Sequence, residues 1–246
     1  MSSSVQSPRR PLESGPFAPD IDYSNAPVLA RLPRGRHGLP QEFVDRNHRN
    51  RLLAGAIEVV AKRGYVDTTV AHITSAAGVS RGAFYRHFRD KRDCYLAAYD
   101  VIVDWIGEET KRALEDCASW SQGVGIAVGT ILDAFAADPR LARLCTVEIL
   151  VAGGPALDRQ EATIERLAVP LRAGRAERPL GTELPLHLEG SLIGGAISLV
   201  LRYLNVGGGD RLGELTPELT EFLLTPYLGV AAARAVATAP EVLSSP

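Results

Sequence analysis

Apolar residues along the chain recur at helical spacing and predict the elements one by one. From Arg46 the positions Leu52, Leu53, Ala56, Ile57 and Val60 fall on the 3.6-residue period of an amphipathic helix. The run Lys62-Arg63-Gly64 then places basic residues and a glycine at its end, so the pattern predicts a helix of three to four turns stopping at Gly64. After Tyr65-Val66-Asp67, either Thr68 or Thr69 can cap a second helix of about two turns, with Val70, Ile73, Ala76 and Ala77 apolar and Gly78 as its stop. Ser80 stands where it caps a third short helix, Arg81 to His87, with Phe84 and Phe88 turned to the core. Asp90 restarts the chain with Asp93 three positions on, favouring the start of a long fourth helix through Tyr95, Leu96, Tyr99, Ile102, Val103 and Ile106.

Glycine and proline signals divide the rest into helices at about 123–137, 139–152, 155–177, 185–205 and 217–236. No period-two pattern competes with them. The expected fold is all-α, about nine helices, with an N-terminal three-helix helix-turn-helix domain joined by the long fourth helix to a C-terminal helical bundle. The first 40 residues hold 7 of the 16 prolines and six serines without any apolar period, and they predict disorder. The expected divisions are residues 1–45 as a disordered tail with a basic arm, 46–92 as the helix-turn-helix domain, and 93–246 as the remaining helical domain.

Composition changes this picture little: 46% apolar and 23% charged residues over 246 positions are ordinary for a globular protein with a sizeable core. The longest uncharged stretches, 117–132 and 190–201, fall short of the roughly 20 apolar residues of a spanning helix. With no secretory leader pattern at the start, the expected location is cytoplasmic. Cys94, Cys117 and Cys145 are odd in number and never spaced as Cys-x-x-Cys, so they predict reduced packing residues and no zinc site.

Charge changes it more. The net charge of −2 conceals a segment, residues 31–92, with 13 Lys+Arg against 5 Asp+Glu, a balance of +8. Residues 93–246 carry 12 against 21, or −9, and residues 1–30 carry 2 against 3, or −1. A basic segment of this kind points to an anionic partner: nucleic acid, a membrane surface or an acidic protein.

The two short helices about Gly78, inside that basic segment, select nucleic acid, because a short exposed helix can enter the major groove while surrounding side chains hold phosphates. The run from Thr69 to Lys91, Thr-Val-Ala-His-Ile-Thr-Ser-Ala-Ala-Gly-Val-Ser-Arg-Gly-Ala-Phe-Tyr-Arg-His-Phe-Arg-Asp-Lys, resembles the signature of TetR-type transcriptional regulators. The resemblance covers residues 46–106. It implies phosphate contacts from Thr69, Tyr85, His87 and Lys91, and it places Ser80, Arg81, Gly82 and Ala83 at the groove-facing start of a recognition helix. Chemistry supports several of these roles separately. Tyr85 offers a rigid hydroxyl, and Lys91 lies in a first helical turn whose free N–H groups also favour an anion. Arg81 suits bidentate reading of guanine, or alternatively a phosphate clamp. Gly82 costs about 1 kcal/mol in a helix relative to alanine, which either close approach to DNA or tight internal packing would explain.

Ahead of the first helix, Arg31-Leu-Pro-Arg34-Gly-Arg36-His37 forms a basic arm; Arg34 and Arg36 either enter the adjacent minor groove or belong to a solvated tail. His72 reads as a surface side chain, and no second ligand stands near it at metal spacing. Small residues at 190, 191, 194, 195 and 198 form a flat helical stripe. The resemblance implies that the last two long helices make a four-helix dimer interface, with a ligand cavity among the preceding helices; internal packing is the alternative for the stripe. Trp105, Trp120, Phe135, Leu144 and Glu148 are candidate cavity liners and equally candidate core. His187, interior-looking and near a helix start, lacks the partners of a catalytic triad, so no enzyme is expected. The implied function is a ligand-responsive DNA-binding regulator, with repression the favoured direction. Its expected partners are a double-stranded operator, a second copy of itself and an unidentified small molecule, with neither cofactor nor membrane. The alternative is a helical small-molecule-binding or catalytic protein whose basic segment meets an acidic protein.

Overall fold

The computed structural model describes residues 40–177, 183–239 and 242. Every regular element among them is helical, and none of the helices is long and apolar enough to cross a membrane. The expected all-α architecture is therefore observed. The described residues form two compact units, one from residues 40–105 and 140–160, the other from 106–139 and 161 onward.

The first unit opens with α1 (Gln41–Arg63), which begins five residues before the predicted start. The reason lies on its buried face, where Asn47 and Arg51 stand beside Val44 and interrupt the apolar period. Arg51 is sequestered because its guanidinium donates to the carbonyls of Ala77 and Gly78, fastening α1 to the turn after α2 (Val70–Ala77). At Gly55 the two helices approach so closely that a Cβ would stand 3.0 Å from the Ala77 nitrogen and 3.1 Å from the Ile73 carbonyl oxygen. Thr69 provides the cap of α2, its side chain accepting from the His72 N–H, while Thr68 donates back to Gly64. Gly78 ends α2 at φ 60°, ψ 36°, the left-handed conformation that favours glycine. Ser80 caps α3 (Arg81–His87) by accepting from the Ala83 N–H.

α4 (Lys91–Ala113) starts as predicted: its Asp93 N–H donates to Asp90 while the Asp93 carboxylate accepts from the Arg89 N–H, a reciprocal cap. Leu52, Ile73, Phe84, Tyr95 and Ile102 make the fully buried centre of this unit. A further segment completes it: α6 (Pro139–Arg143), a π turn (Leu144–Glu148) and α7 (Ile149–Ala152) replace the single helix expected at 139–152. Tyr95 donates its hydroxyl to the Leu144 carbonyl at 2.8 Å. Glu148, almost wholly buried, accepts the Tyr65 N–H at 2.7 Å and the Arg143 guanidinium at 3.1 Å. Of the two readings of Leu144 and Glu148, core fits: they are core and loop-fastening residues of the first unit.

The second unit holds the end of α4, α5 (Trp120–Ala137) and most of α8 (Pro155–Arg172), followed by a 3-10 turn (Ala173–Glu177). α9 (Leu188–Asn205), a second 3-10 segment (Gly209–Leu215), α10 (Thr216–Leu228) and α11 (Val230–Ala237) complete it. The last helix expected at 217–236 is in fact two, broken at Gly229 with φ 77°. With that break and the π turn, the nine expected helices appear as eleven α-helices among the described residues. Val124, Leu171, Leu192, Ile193, Leu223, Leu224 and Tyr227 pack together, and Trp120 meets the edge of Tyr227 with ring centroids 5.1 Å apart. The indole of Trp120 is held by a hydrogen bond from its N–H to the Pro170 carbonyl. His187 is exposed at the start of α9, so it is a surface residue rather than an interior one.

Candidate nucleic-acid interface

Local capping decides which faces of α2 and α3 remain outward. Thr69 and Ser80 use their side-chain oxygens to accept helix N–H groups, which leaves each hydroxyl proton directed elsewhere. On α3 the apolar residues turn inward: Phe84 is fully buried, and Phe84 and Phe88 pack with ring centroids 5.7 Å apart. Arg81, Gly82, Tyr85 and Arg86 are exposed, and the four-residue steps 81 to 85 and 82 to 86 make them one outward strip. Tyr85 stays 54% exposed while its ring lies edge-on to Phe84, so its hydroxyl is carried on a rigid support.

Gly82 can now be separated from its two readings. A Cβ built there would meet nothing closer than Ser80 Oγ at 4.0 Å, so internal packing does not require glycine. Gly82→Ala should therefore leave the fold as stable or raise it by up to about 1 kcal/mol, while lowering DNA affinity by tenfold or more if the backbone approaches the groove. Thermal unfolding and fluorescence anisotropy on one preparation check both halves, and unchanged DNA affinity would remove Gly82 from the interface.

Three expected contact residues lie elsewhere than anticipated. Ala83 is 3% exposed and belongs to the core, because the inward face of so short a helix takes its third residue along with Phe84. His87 is half-buried, and its Nε2 is enclosed without a hydrogen-bond partner. Burial most of all lowers its pKa; Asp45 pulls the other way, and Arg86 and Arg49 lower it further, so a cationic phosphate contact from its Nε2 is not favoured. Lys91 donates from Nζ to the carbonyls of Tyr65 (2.9 Å), Val66 (3.0 Å) and Thr68 (2.8 Å), and sits 4.5 Å above the Tyr65 ring centroid. All three ammonium protons are thereby directed at the loop before α2.

The sequence reading missed Arg86, exposed in the last turn of α3, whose four-residue step from Gly82 was the signal available. It also missed Arg51, the buried cation that fastens α1 to the turn after α2. His72 is half-buried on α2. Arg34 and Arg36 lie outside the described residues.

Residues 52–98, from the middle of α1 into α4, match the profile of the bacterial regulatory proteins of the TetR family. Through this segment the chain is similar to the TetR family. A curated relative, the uncharacterized HTH-type transcriptional regulator YerO of Bacillus subtilis, is 34% identical over 70 residues, 28% of this chain and 24% of its own. The chain spans about a quarter to a third of the length of the first curated relatives it matches. Solved structures extend the likeness in fold. The fatty acid degradation regulator FadR of Bacillus halodurans superposes with a TM-score of 0.63 at 21% identity, covering 72% of this chain and 94% of that one. FadR of Bacillus subtilis in complex with stearoyl-CoA gives 0.60 at 20% identity, covering 73% and 97%.

Proposed function

We propose that this chain is a homodimeric TetR-family transcriptional regulator of the cytoplasm that binds double-stranded DNA through α2 and α3 and leaves it when a small molecule occupies the second unit. The observation that carries the reading is the outward strip Arg81, Gly82, Tyr85 and Arg86, in which a glycine unneeded for packing stands among two cations and a supported hydroxyl. The +8 balance of residues 31–92 supplies the phosphate attraction that such a strip needs. Thr69 and Tyr85 are the proposed phosphate contacts, Arg81 the base reader and Ser80 a contact from the helix start. The YerO relative is a regulator by name, which supports a regulatory rather than enzymatic role. The complex of the FadR relative with stearoyl-CoA supports a small-molecule effector for the shared fold.

Selection of bound fragments from random and genomic DNA tests the reading. The expected operator has two half-sites about 34–36 Å apart or a multiple of this, with affinity falling steeply as salt rises. Absence of salt-dependent DNA binding would favour the acidic-protein alternative.

Dimerisation through α9 and α10 has its own test. Within the small-residue stripe, a Cβ at Gly195 would meet Phe222 at 2.9 Å in the same chain, whereas a Cβ at Gly194 meets nothing within 4 Å. Gly194→Leu therefore disturbs a partner's helix without overpacking its own unit, at about 1–3 kcal/mol per site and doubled by two-fold symmetry. Sedimentation should give a mass near one subunit with an unchanged helical spectrum. A variant that stays dimeric puts the interface elsewhere.

A further inference from the structure

Asp45 and His48, three residues apart on one face of α1, meet His87 at the end of α3. One ligand atom from each lies within 4.8 Å of the others, and all three residues are half-buried. His48 Nδ1 and His87 Nε2 are both enclosed yet have no hydrogen-bond partner. Buried imidazole nitrogens ordinarily find one, so two together in a cluster with a carboxylate call for an occupant. The Asp45 carboxylate accepts from Gln41 Nε2 at 3.0 Å, which orients it and leaves further lone pairs for a cation.

We propose that Asp45, His48 and His87 bind a divalent first-row transition ion, with Zn2+ the best match, which ties α1 to the end of α3. Two imidazoles and one carboxylate are the borderline donors that Zn2+ takes, with water completing a tetrahedron. Bonds of about 2.0–2.1 Å at tetrahedral angles need ligand atoms roughly 3.3 Å apart, a closure within reach of side-chain rotation. Arg51 and Arg86 lie close enough to His48 to oppose a cation, so the ion is expected to be removable by a chelator rather than an irremovable structural metal. The sequence conceals the site because α1 supplies only two of its ligands, and the third comes from 39 positions beyond His48.

Titration calorimetry of the chelator-stripped full chain with ZnCl2, paired with CoCl2 absorption spectra, tests it. Expected are one ion per chain, visible d–d bands for Co2+, and a higher unfolding temperature with Zn2+. His48→Gln and Asp45→Asn should each bind at least tenfold more weakly and lose the bands while keeping the helical spectrum. The chain has five histidines, and the variant carrying His37→Gln, His72→Gln and His187→Gln should bind like the parent. No saturable binding by the parent, a weakening below tenfold in both single variants, or loss of binding in the triple variant overturns the proposal.

Discussion

Lys91→Met should lower the stability of the first unit by about 2 kcal/mol, because it leaves the carbonyls of Tyr65, Val66 and Thr68 without their ammonium donor. Charge-assisted bonds are worth about 1.5–3 kcal/mol each when partners are desolvated, but these three share one partly exposed donor and water can replace part of them. The loop they fasten delivers Thr69 and hence the start of α2, so DNA affinity should fall on specific and random sequences together. The decisive comparison sets the unfolding midpoint beside the salt slope of DNA binding. A lysine that fastens the loop shifts the midpoint and leaves the slope unchanged; a lysine that contacts phosphate shrinks the slope by about 1 and leaves the midpoint. An unshifted midpoint would restore Lys91 to the phosphate contacts implied by the family resemblance.

The larger effect is expected in the second unit. Glu189 is 1% exposed, and its carboxylate accepts from Arg175 Nε and Nη2, both at 2.8 Å, and from the Tyr227 hydroxyl at 3.0 Å. Glu189→Ala removes the acceptor for three donor groups on two residues, and breaking a buried pair in this way costs about 3–5 kcal/mol. The low end applies, because Arg175 is partly open to water and also donates to the carbonyls of Leu184 and Pro185. Burial alone would raise the pKa of Glu189, but the hydrogen bonds from Arg175, the backbone and Tyr227 outweigh it and hold the carboxyl below the ordinary glutamate range. The sign follows: a depressed carboxyl pKa stabilises the fold above the unfolded value, about 4.3, and that contribution is lost as pH falls below it. Urea unfolding of parent and Glu189→Ala at pH 7 and pH 3.5 should show the difference narrowing in acid. A gap that stays constant would assign the loss to packing alone.

Most of the first unit was legible because its signals are local. Thr69, Ser80, Asp90 and Gly78 act within four residues of themselves, and caps and left-handed stops are written in short sequence. What escaped depends on long separations. The buried Arg51 reaches a turn 26 positions away, and Glu148 reaches Tyr65 across 83. Lys91 read as a phosphate contact because position and charge suit an anion; only the loop folded beneath it reveals three carbonyls. Ala83 was misplaced for a simpler reason, since a seven-residue helix has barely two turns and its inward side claims residues on either side of the aromatic anchor.

The 83-residue reach of Glu148 bears on how this protein can be recombined. The segment 140–160 belongs to the same compact unit as residues 40–105, although a long stretch of the other unit separates them in the chain. A reader head cut at the end of the family-matched stretch, after residue 98, would lack the Leu144 carbonyl that receives Tyr95 and the carboxylate that receives Tyr65. Any fragment that keeps the first unit whole must therefore carry residues 140–160 along, so the smallest self-contained piece is an interleaved pair of segments rather than a detachable N-terminal module.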